Sequence, residues 1–295
     1  MTSWKRFSSR LPARAALTVL AASLMLGAQP VRAGPNGAAS AAENGPAPTS
    51  ESAATEGPFA YTSIKVGEGQ TPGSFGGVTI WYPISTATTY GGITMSPGFL
   101  APRENLNSYG RLLASHGFVA MAVDPNSPFA EPADRGRVLL AALDWLVTSS
   151  PVKSRVDPAR QAVFGHSMGG GGVMEAAQDR PTLKAGVAFE PYNDRLRFDT
   201  PVPIGLIGGE KDTVAPPKQY AIPMYERLTS RRKSYIEIDG RDHDSVGQKV
   251  GAISTALVAW MKLWVDGDRR YAPLVCPGPE VDDVTVSDYR STCPL

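Results

Sequence analysis

The chain has 295 residues, 42% of them hydrophobic, with 29 Lys and Arg against 28 Asp and Glu and a formal net charge of +1. That length and apolar content suit one large α/β domain with a well-buried core. A near-neutral balance without long like-charge blocks leaves no global field to recruit nucleic acid or an anionic membrane, so an uncharged or surface-bound substrate is expected.

Residues 1–33 read as a secretory signal. Lys5, Arg6, Arg10 and Arg14 form a positive start, Ala15 to Leu26 a short apolar centre, and Val31-Arg32-Ala33 a small-residue cleavage pattern. The centre is too short for a membrane span, and no later segment reaches the roughly 18 to 20 apolar residues a span needs. With no twin arginine and no cysteine near the cleavage point, the expectation is a secreted (extracellular or periplasmic), unanchored, monomeric protein. Residues 34–57 are rich in Ala, Gly, Pro, Ser and Asn and read as a disordered linker. Order is expected from about Pro58, which makes 58–295 a single folded domain.

Val78, Ile80 and Tyr82 alternate with Thr79 and Trp81, which predicts a strand within Phe75 to Ile84, and Gly92 to Ser96 predicts a second that Pro97-Gly98 breaks. Asn107 is placed to cap a helix that runs to His116 and stops at Gly117. Phe118 to Val123 is a continuous apolar run, the pattern of a strand buried on both faces. Asp134 to Val147 carries Val138, Leu139, Ala142, Trp145 and Leu146 at helical spacing. Further short apolar runs, Ala185 to Phe189, Val202 to Ile207 and Ser234 to Ile238, are followed or separated by helical stretches around Gln219 to Leu228 and Ile253 to Val265. Strands alternating with helices predict an α/β fold with a mostly parallel central sheet covered on both faces and no lid domain.

Within that alternation, Ala162-Val163-Phe164-Gly165-His166-Ser167-Met168-Gly169 joins a strand-like run to a helix start through G-x-S-x-G. This is the nucleophile-elbow pattern: the turn is too tight for a Cβ at either glycine, and the serine hydroxyl stands above the sheet edge. The serine needs a base, an acid and an oxyanion site. The chain has three histidines, His116, His166 and His243. His116 precedes the serine and His166 lies inside the elbow, so His243, after the run ending at Ile238, is the expected base. The run ending at Ile207 leads to Gly208-Gly209-Glu210-Lys211-Asp212, and Asp212 is the expected acid with Glu210 as fallback. Asp242 and Asp244 flank His243 and favour its charged form. Backbone N–H groups of Met168 and of Phe99, after Pro97-Gly98, are the expected oxyanion donors. The two cysteines, Cys276 and Cys293, lie close together, and in an exported chain that spacing invites a disulfide contributing roughly 3 kcal/mol.

Taken together, Gly165-His166-Ser167-Met168-Gly169-Gly170-Gly171-Gly172, Ser96-Pro97-Gly98-Phe99, Leu139-Leu140-Ala141-Ala142-Leu143-Asp144, Asp212-Thr213-Val214-Ala215-Pro216 and Tyr289-Arg290-Ser291-Thr292-Cys293-Pro294 resemble the bacterial cutinase and polyester (PET) hydrolase family. The likeness runs from about Pro58 to the C-terminus. It implies an α/β-hydrolase with a shallow, exposed groove that cleaves cutin, short- to medium-chain acylglycerols or synthetic polyesters, without a cofactor. It also implies Ser167, Asp212 and His243 as the triad, and Phe99 and Met168 as oxyanion donors. The groove would be lined by Phe99, His166, Met168, Tyr192 and Val214, with a Cys276–Cys293 disulfide beyond it.

Some positions depart from the family pattern. Pro191-Tyr192 stands where a Pro-Trp pair is usual, leaving less area for stacking. Glu190 and Asp244 stand where neutral residues are usual, and two carboxylates beside the groove are expected to weaken adsorption to an apolar polymer and to repel acidic products. The family's calcium positions fall on Glu210, Asp239 and Ser287; with one carboxylate missing, no metal is expected beyond weak calcium at Glu210 and Asp239. An acyltransferase on the same scaffold, a plain short-chain carboxylesterase and an inactive binding module are the competing readings.

Overall fold

Among the residues described by this computed structural model (46–248, 251–282 and 284–295), nine strands join one sheet. They are β1 (Tyr61–Val66), β2 (Val78–Pro83), β3 (Tyr90–Ser96), β4 (Phe118–Val123), β5 (Val156–His166), β6 (Ala185–Phe189), β7 (Ile204–Gly209), β8 (Lys233–Ile238) and β9 (Val286–Ser291). Their order across the sheet is β1-β2-β4-β3-β5-β6-β7-β8-β9. The strands from β4 to β8 in that order pair in parallel, while β1, β2 and β9 close the margins antiparallel. Every residue of β3, β4, β6 and β7 is buried. Their near-continuous apolar composition follows from having helices on both faces.

The helices are α1 (Ser50–Ala54), α2 (Asn107–Ser115), α3 (Pro132–Thr148), α4 (Met168–Asp179), α5 (Ala221–Arg227) and α6 (Gly251–Trp264). Alternate strand residues feed two different cores, as a period of two requires. Phe164, Val187 and Ile207 pack with Leu113 of α2 and Leu257 and Trp260 of α6. Val163, Ala188 and Leu206 pack with Leu139 of α3, Val173 of α4 and Met224 of α5. This is the mostly parallel α/β arrangement the alternation predicts, and it is consistent with the α/β-hydrolase fold the resemblance implies.

Parallel register brings the C-terminal ends of five strands to one edge. Ser96 pairs with Gly165, Phe189 with both His166 and Ile207, and Gly209 with Ile238. The segments leaving β3, β5, β7 and β8 there carry Phe99, Ser167, Asp212 and His243, the place where open α/β sheets bind ligands.

Two expectations need correction, and two strands lie where no strand is expected. Residues 46–57 are not an unstructured linker: Thr49 and Ser52 form a capping box, and α1 buries Ala53 completely. Thr255 Oγ1 on α6 donates to the Ser50 carbonyl at 2.8 Å, His116 Nε2 lies 2.9 Å from the Thr55 carbonyl, and Gly57 N–H donates to Ser115 Oγ. Small residues read as linker composition are what lets this segment lie flat on α6. Asn107 is not a cap but the first residue of α2, entered from a 3-10 turn at Arg103–Leu106. The marginal strands β1 and β9 have exposed or half-buried residues at most positions and lack the apolar run that marks the inner strands. Gly117 ends α2 as predicted, with φ +89°. Cys276 and Cys293 form a disulfide with Cα atoms 5.7 Å apart. The residues read as a signal, 1–33, lie outside those described. Among the described residues no helix is long and apolar enough to cross a membrane.

Candidate active site

The turn between β5 and α4 is held by backbone sterics. Ser167 has φ +55°, a left-handed value that a non-glycine residue adopts only where its surroundings enforce it. A Cβ at Gly165 would lie 2.2 Å from the Gly169 carbonyl oxygen, and one at Gly169 would lie 2.1 Å from that of Ser96. Ser167 N–H donates to the Phe189 carbonyl at 2.9 Å, which ties the elbow to β6. Gly98 brings the loop after β3 against the serine: a Cβ there would sit 3.0 Å from Ser167 Cβ. Met168 opens α4, whose first-turn N–H groups have no partner inside the helix.

His243 enters from a 3-10 turn after β8 and reaches both partners. Its Nε2 is 2.9 Å from Ser167 Oγ and its Nδ1 is 2.7 Å from Asp212 Oδ2. Asp212 Oδ1 accepts from the Val214 and Ala215 N–H groups at 2.9 and 2.7 Å. Burial alone would raise the Asp212 carboxyl, but the His243 hydrogen bond and these amides hold it below the usual range. Burial would likewise lower His243; the hydrogen bond and charge of Asp212, followed by Glu190 and Asp244, hold it above an ordinary imidazole. Glu210, the fallback acid, lies outside this chain of bonds: its carboxylate contacts Lys211 Nζ at 3.0 Å and accepts the Gly240 N–H at 2.9 Å.

Glu190 overturns the expectation of a carboxylate beside the groove, because its side chain has no exposed surface. It accepts Arg241 Nε at 2.9 Å, meets His166 Nε2 at 3.0 Å and lies 3.9 Å from His243 Nδ1. Arg241 is itself buried, with its guanidinium over the Phe189 ring at 4.9 Å. This cluster escapes a linear reading, since a Glu that follows an apolar run reads as a surface charge at a strand end. The signal that locates it is positional. Glu190 directly follows β6, which lies between the strand of the serine and the strand of the aspartate, and Arg241 stands two residues before His243.

His166 is buried in that cluster, 4.8 Å from His243 between ring centres. Burial, with His243 and Arg241 nearby, pushes its pKa down to about 3, so it is neutral. Phe99 is exposed and packs edge-on against Phe129 at 5.6 Å, and Val214 is exposed on the loop after Asp212. Tyr192 lies against Tyr220 at 4.9 Å, and its N–H donates to the Ser167 carbonyl at 3.0 Å. Asp244 is exposed.

His166, Glu190 and His243 offer donor atoms within 4.8 Å of one another. Their contacts with Arg241 and Asp212 and among themselves account for those atoms as hydrogen-bonding groups, and a guanidinium beside the carboxylate disfavours a cation. At the expected calcium positions, Glu210 is engaged by Lys211 and Gly240, and Ser287 Oγ is directed to Glu237 Oε1 at 3.0 Å.

With this geometry in hand, known proteins give the family. The PET hydrolase-like family matches residues 36–294. The chain belongs to the PET hydrolase-like family. It is similar to a bis(hydroxyethyl) terephthalate hydrolase of Streptomyces coelicolor, with 40% identity over 85% of this chain and 82% of the relative. It is also 40% identical to cutinase cut1 of Thermobifida fusca, over 99% of this chain and 92% of the relative. Cutinase est2 of Thermobifida alba is 41% identical over 88% of this chain and 87% of the relative. As a PET hydrolase-like protein, the chain is a carboxylic ester hydrolase.

Proposed function

We propose that this PET hydrolase-like protein is a secreted serine hydrolase that cleaves carboxylic esters through an acyl-enzyme, with Ser167, His243 and Asp212 as its triad. The observation that carries the reading is the unbroken chain Ser167 Oγ, His243 Nε2, His243 Nδ1, Asp212 Oδ2 at 2.9 and 2.7 Å, on the elbow. His243 takes the hydroxyl proton as Ser167 Oγ bonds to the ester carbonyl carbon. The N–H groups of Met168 and Phe99 hold the resulting oxyanion. The tetrahedral intermediate expels the alcohol, which takes its proton from His243. Water then gives a proton to His243, attacks the acyl-enzyme and releases the acid, restoring Ser167. Asp212 keeps the Nδ1 proton in place and stabilises the imidazolium in both steps.

The substrate class follows from what surrounds the serine. Phe99, Phe129 and Val214 are exposed apolar residues beside or continuous with the oxyanion and acid loops. They favour a substrate that lies on the surface, such as an ester of an aromatic diacid or a polyester chain. The relatives' names support that choice. Removing Glu190 from the groove also weakens the electrostatic objection to an apolar polymer. A short-chain carboxylesterase is the second reading, favoured by exposed Asp244 and by Tyr192 in place of a tryptophan. Residues 1–33 and the Cys276–Cys293 disulfide support export to an oxidising compartment.

Ser167→Ala is expected to lower hydrolysis of 4-nitrophenyl butyrate by at least about a thousandfold without loss of fold. Retention of more than a few per cent of activity would remove Ser167 from the mechanism. Bis(hydroxyethyl) terephthalate and a polyester film, assayed beside 4-nitrophenyl esters of increasing chain length, separate the two substrate readings. Cleavage confined to the shortest esters selects the carboxylesterase.

A further inference from the structure

The triad reading leaves a second buried carboxylate unused beside His243. We infer that Glu190 is a positioning residue for His243, a second carboxylate that, braced by Arg241 and His166, stabilises the imidazolium formed during acyl transfer. The inference rests on His243 being the base.

The geometry has three parts. Glu190 Oε2 is 3.9 Å from His243 Nδ1, on the same side of the ring as Asp212 Oδ2, and no part of its side chain is exposed. Its other oxygen is fixed by Arg241 Nε at 2.9 Å, so the carboxylate cannot swing away. His166 Nε2 meets Oε2 at 3.0 Å, which holds the second oxygen from the elbow side. Glu190 also has φ +45°, a strained backbone at the end of β6 held by its N–H bond to the Ile207 carbonyl at 2.7 Å.

The charges facing this pocket are Asp212 and Glu190, Arg241 against them, and exposed Asp244 at the rim; His166 is neutral and Tyr109 stays protonated. With Glu190 ionised, two buried carboxylates face one guanidinium, and the balance closes when His243 gains a proton. Burial outweighs the pull of Arg241 and His243 and pushes the Glu190 carboxyl up to about 8, so the pair with His243 shares its proton, and the Glu190 anion forms together with the imidazolium. A buried anion this close favours imidazolium over imidazole, as Asp212 does. Glu190 thus lowers the cost of the charge that appears on His243 in the transition state. It touches no reacting atom, and its influence passes through the imidazole.

The test is the pH dependence of kcat and kcat/KM for 4-nitrophenyl butyrate, measured on wild type, Glu190→Gln, Asp212→Asn, the double variant and Ser167→Ala. Glu190→Gln removes a negative neighbour, so the His243 pKa falls and the acidic limb of kcat/KM moves down by about half to one pH unit. On the plateau kcat falls by about three- to thirtyfold with KM unchanged. In the Asp212→Asn background, where Glu190 is the remaining carboxylate on Nδ1, the same change costs more than in wild type. Glu190→Gln leaves the Arg241 charge unpaired, so Glu190→Gln/Arg241→Gln, which removes both charges, is carried in parallel. It moves the limb in the same direction by a smaller amount. An acidic limb that stays in place in both variants, with any loss spread evenly over pH, would overturn the inference and leave Glu190 a packing residue. Activity surviving in Ser167→Ala would instead overturn the triad reading, so the two failures are distinct.

Discussion

His243 is the residue on which the pH behaviour turns. As the proposed base it acts only when neutral, and Asp212, Glu190 and Asp244 together hold its pKa above an ordinary imidazole despite burial. The activity, kcat/KM, should therefore rise with pH through a midpoint above about 6.5 and be lost as pH falls below it. A profile on a soluble ester measures this directly; a midpoint at or below 6.5 would mean that burial outweighs the carboxylates. Backbone sterics give a second prediction at this scale. Gly169→Ala places a Cβ 2.1 Å from the Ser96 carbonyl, against backbone rather than a mobile side chain. The elbow must then shift relative to the oxyanion loop, and a displacement near 1 Å costs about a hundredfold in kcat. Wild-type kcat in Gly169→Ala would show that the turn has slack. Ser167, His243 and Asp212, which the structure brings into one hydrogen-bonded chain, could be singled out in the sequence because glycine spacing, chain order and a shortage of histidines each restrict the choice. Glu190 was not, because whether a carboxylate at a strand end faces water or protein depends on what other strands place beside it. Here that is Arg241 and His166, from β8's loop and the end of β5.

Elements were legible in proportion to how much of each is buried. The inner strands β3, β4, β6 and β7 are mostly apolar because both faces are covered, and their runs locate them. The marginal strands are half exposed, and β9, Val-Ser-Asp-Tyr-Arg-Ser, takes its conformation from pairing with β8 rather than from its composition. α1 is the extreme case: five residues with one fully buried alanine, too short to persist alone and held by α6. That dependence makes a prediction. Ending the chain's N-terminus after Glu56 removes the Ala53 burial and the bonds from Thr255 and His116 to the Ser50 and Thr55 carbonyls. The loss is about 1–3 kcal/mol, which lowers Tm by roughly 3–10 °C while kcat at 25 °C stays unchanged, since the bonds lost run to Thr255 and His116 and to no residue of the proposed triad. A differential scanning trace of the truncated and full mature chains checks this; equal Tm values would make the segment a passenger on the fold.

At the scale of the whole molecule, the proposed catalytic residues and the disulfide occupy different places. Ser167, His243 and Asp212 hang from the C-terminal edge of the parallel strands, whereas Cys276–Cys293 fastens the last strand and C-terminus to the segment after α6. The disulfide spans a sequence separation of 17, and in the chain-entropy model a loop of that size contributes about 3 kcal/mol by restricting the unfolded chain. The active site should barely register its removal, because β8 keeps its ladder to β7 and the His243 turn lies at the far side of β8 from β9's last residues. Cys276→Ala/Cys293→Ala is therefore expected to keep kcat/KM within about twofold at 25 °C and to lose about 6–12 °C in Tm. The same offset links stability to compartment, since glutathione and thioredoxin keep thiols reduced in a cytosol. Protein made without its first 33 residues in a reducing cytosol should melt with the double variant, and air oxidation after purification should restore the higher Tm. If the cytosolic product already melts with the oxidised protein and only a reductant lowers it, the bond forms on isolation and gives no evidence of export. If the double variant melts with the wild type, the β8–β9 ladder alone secures the C-terminus.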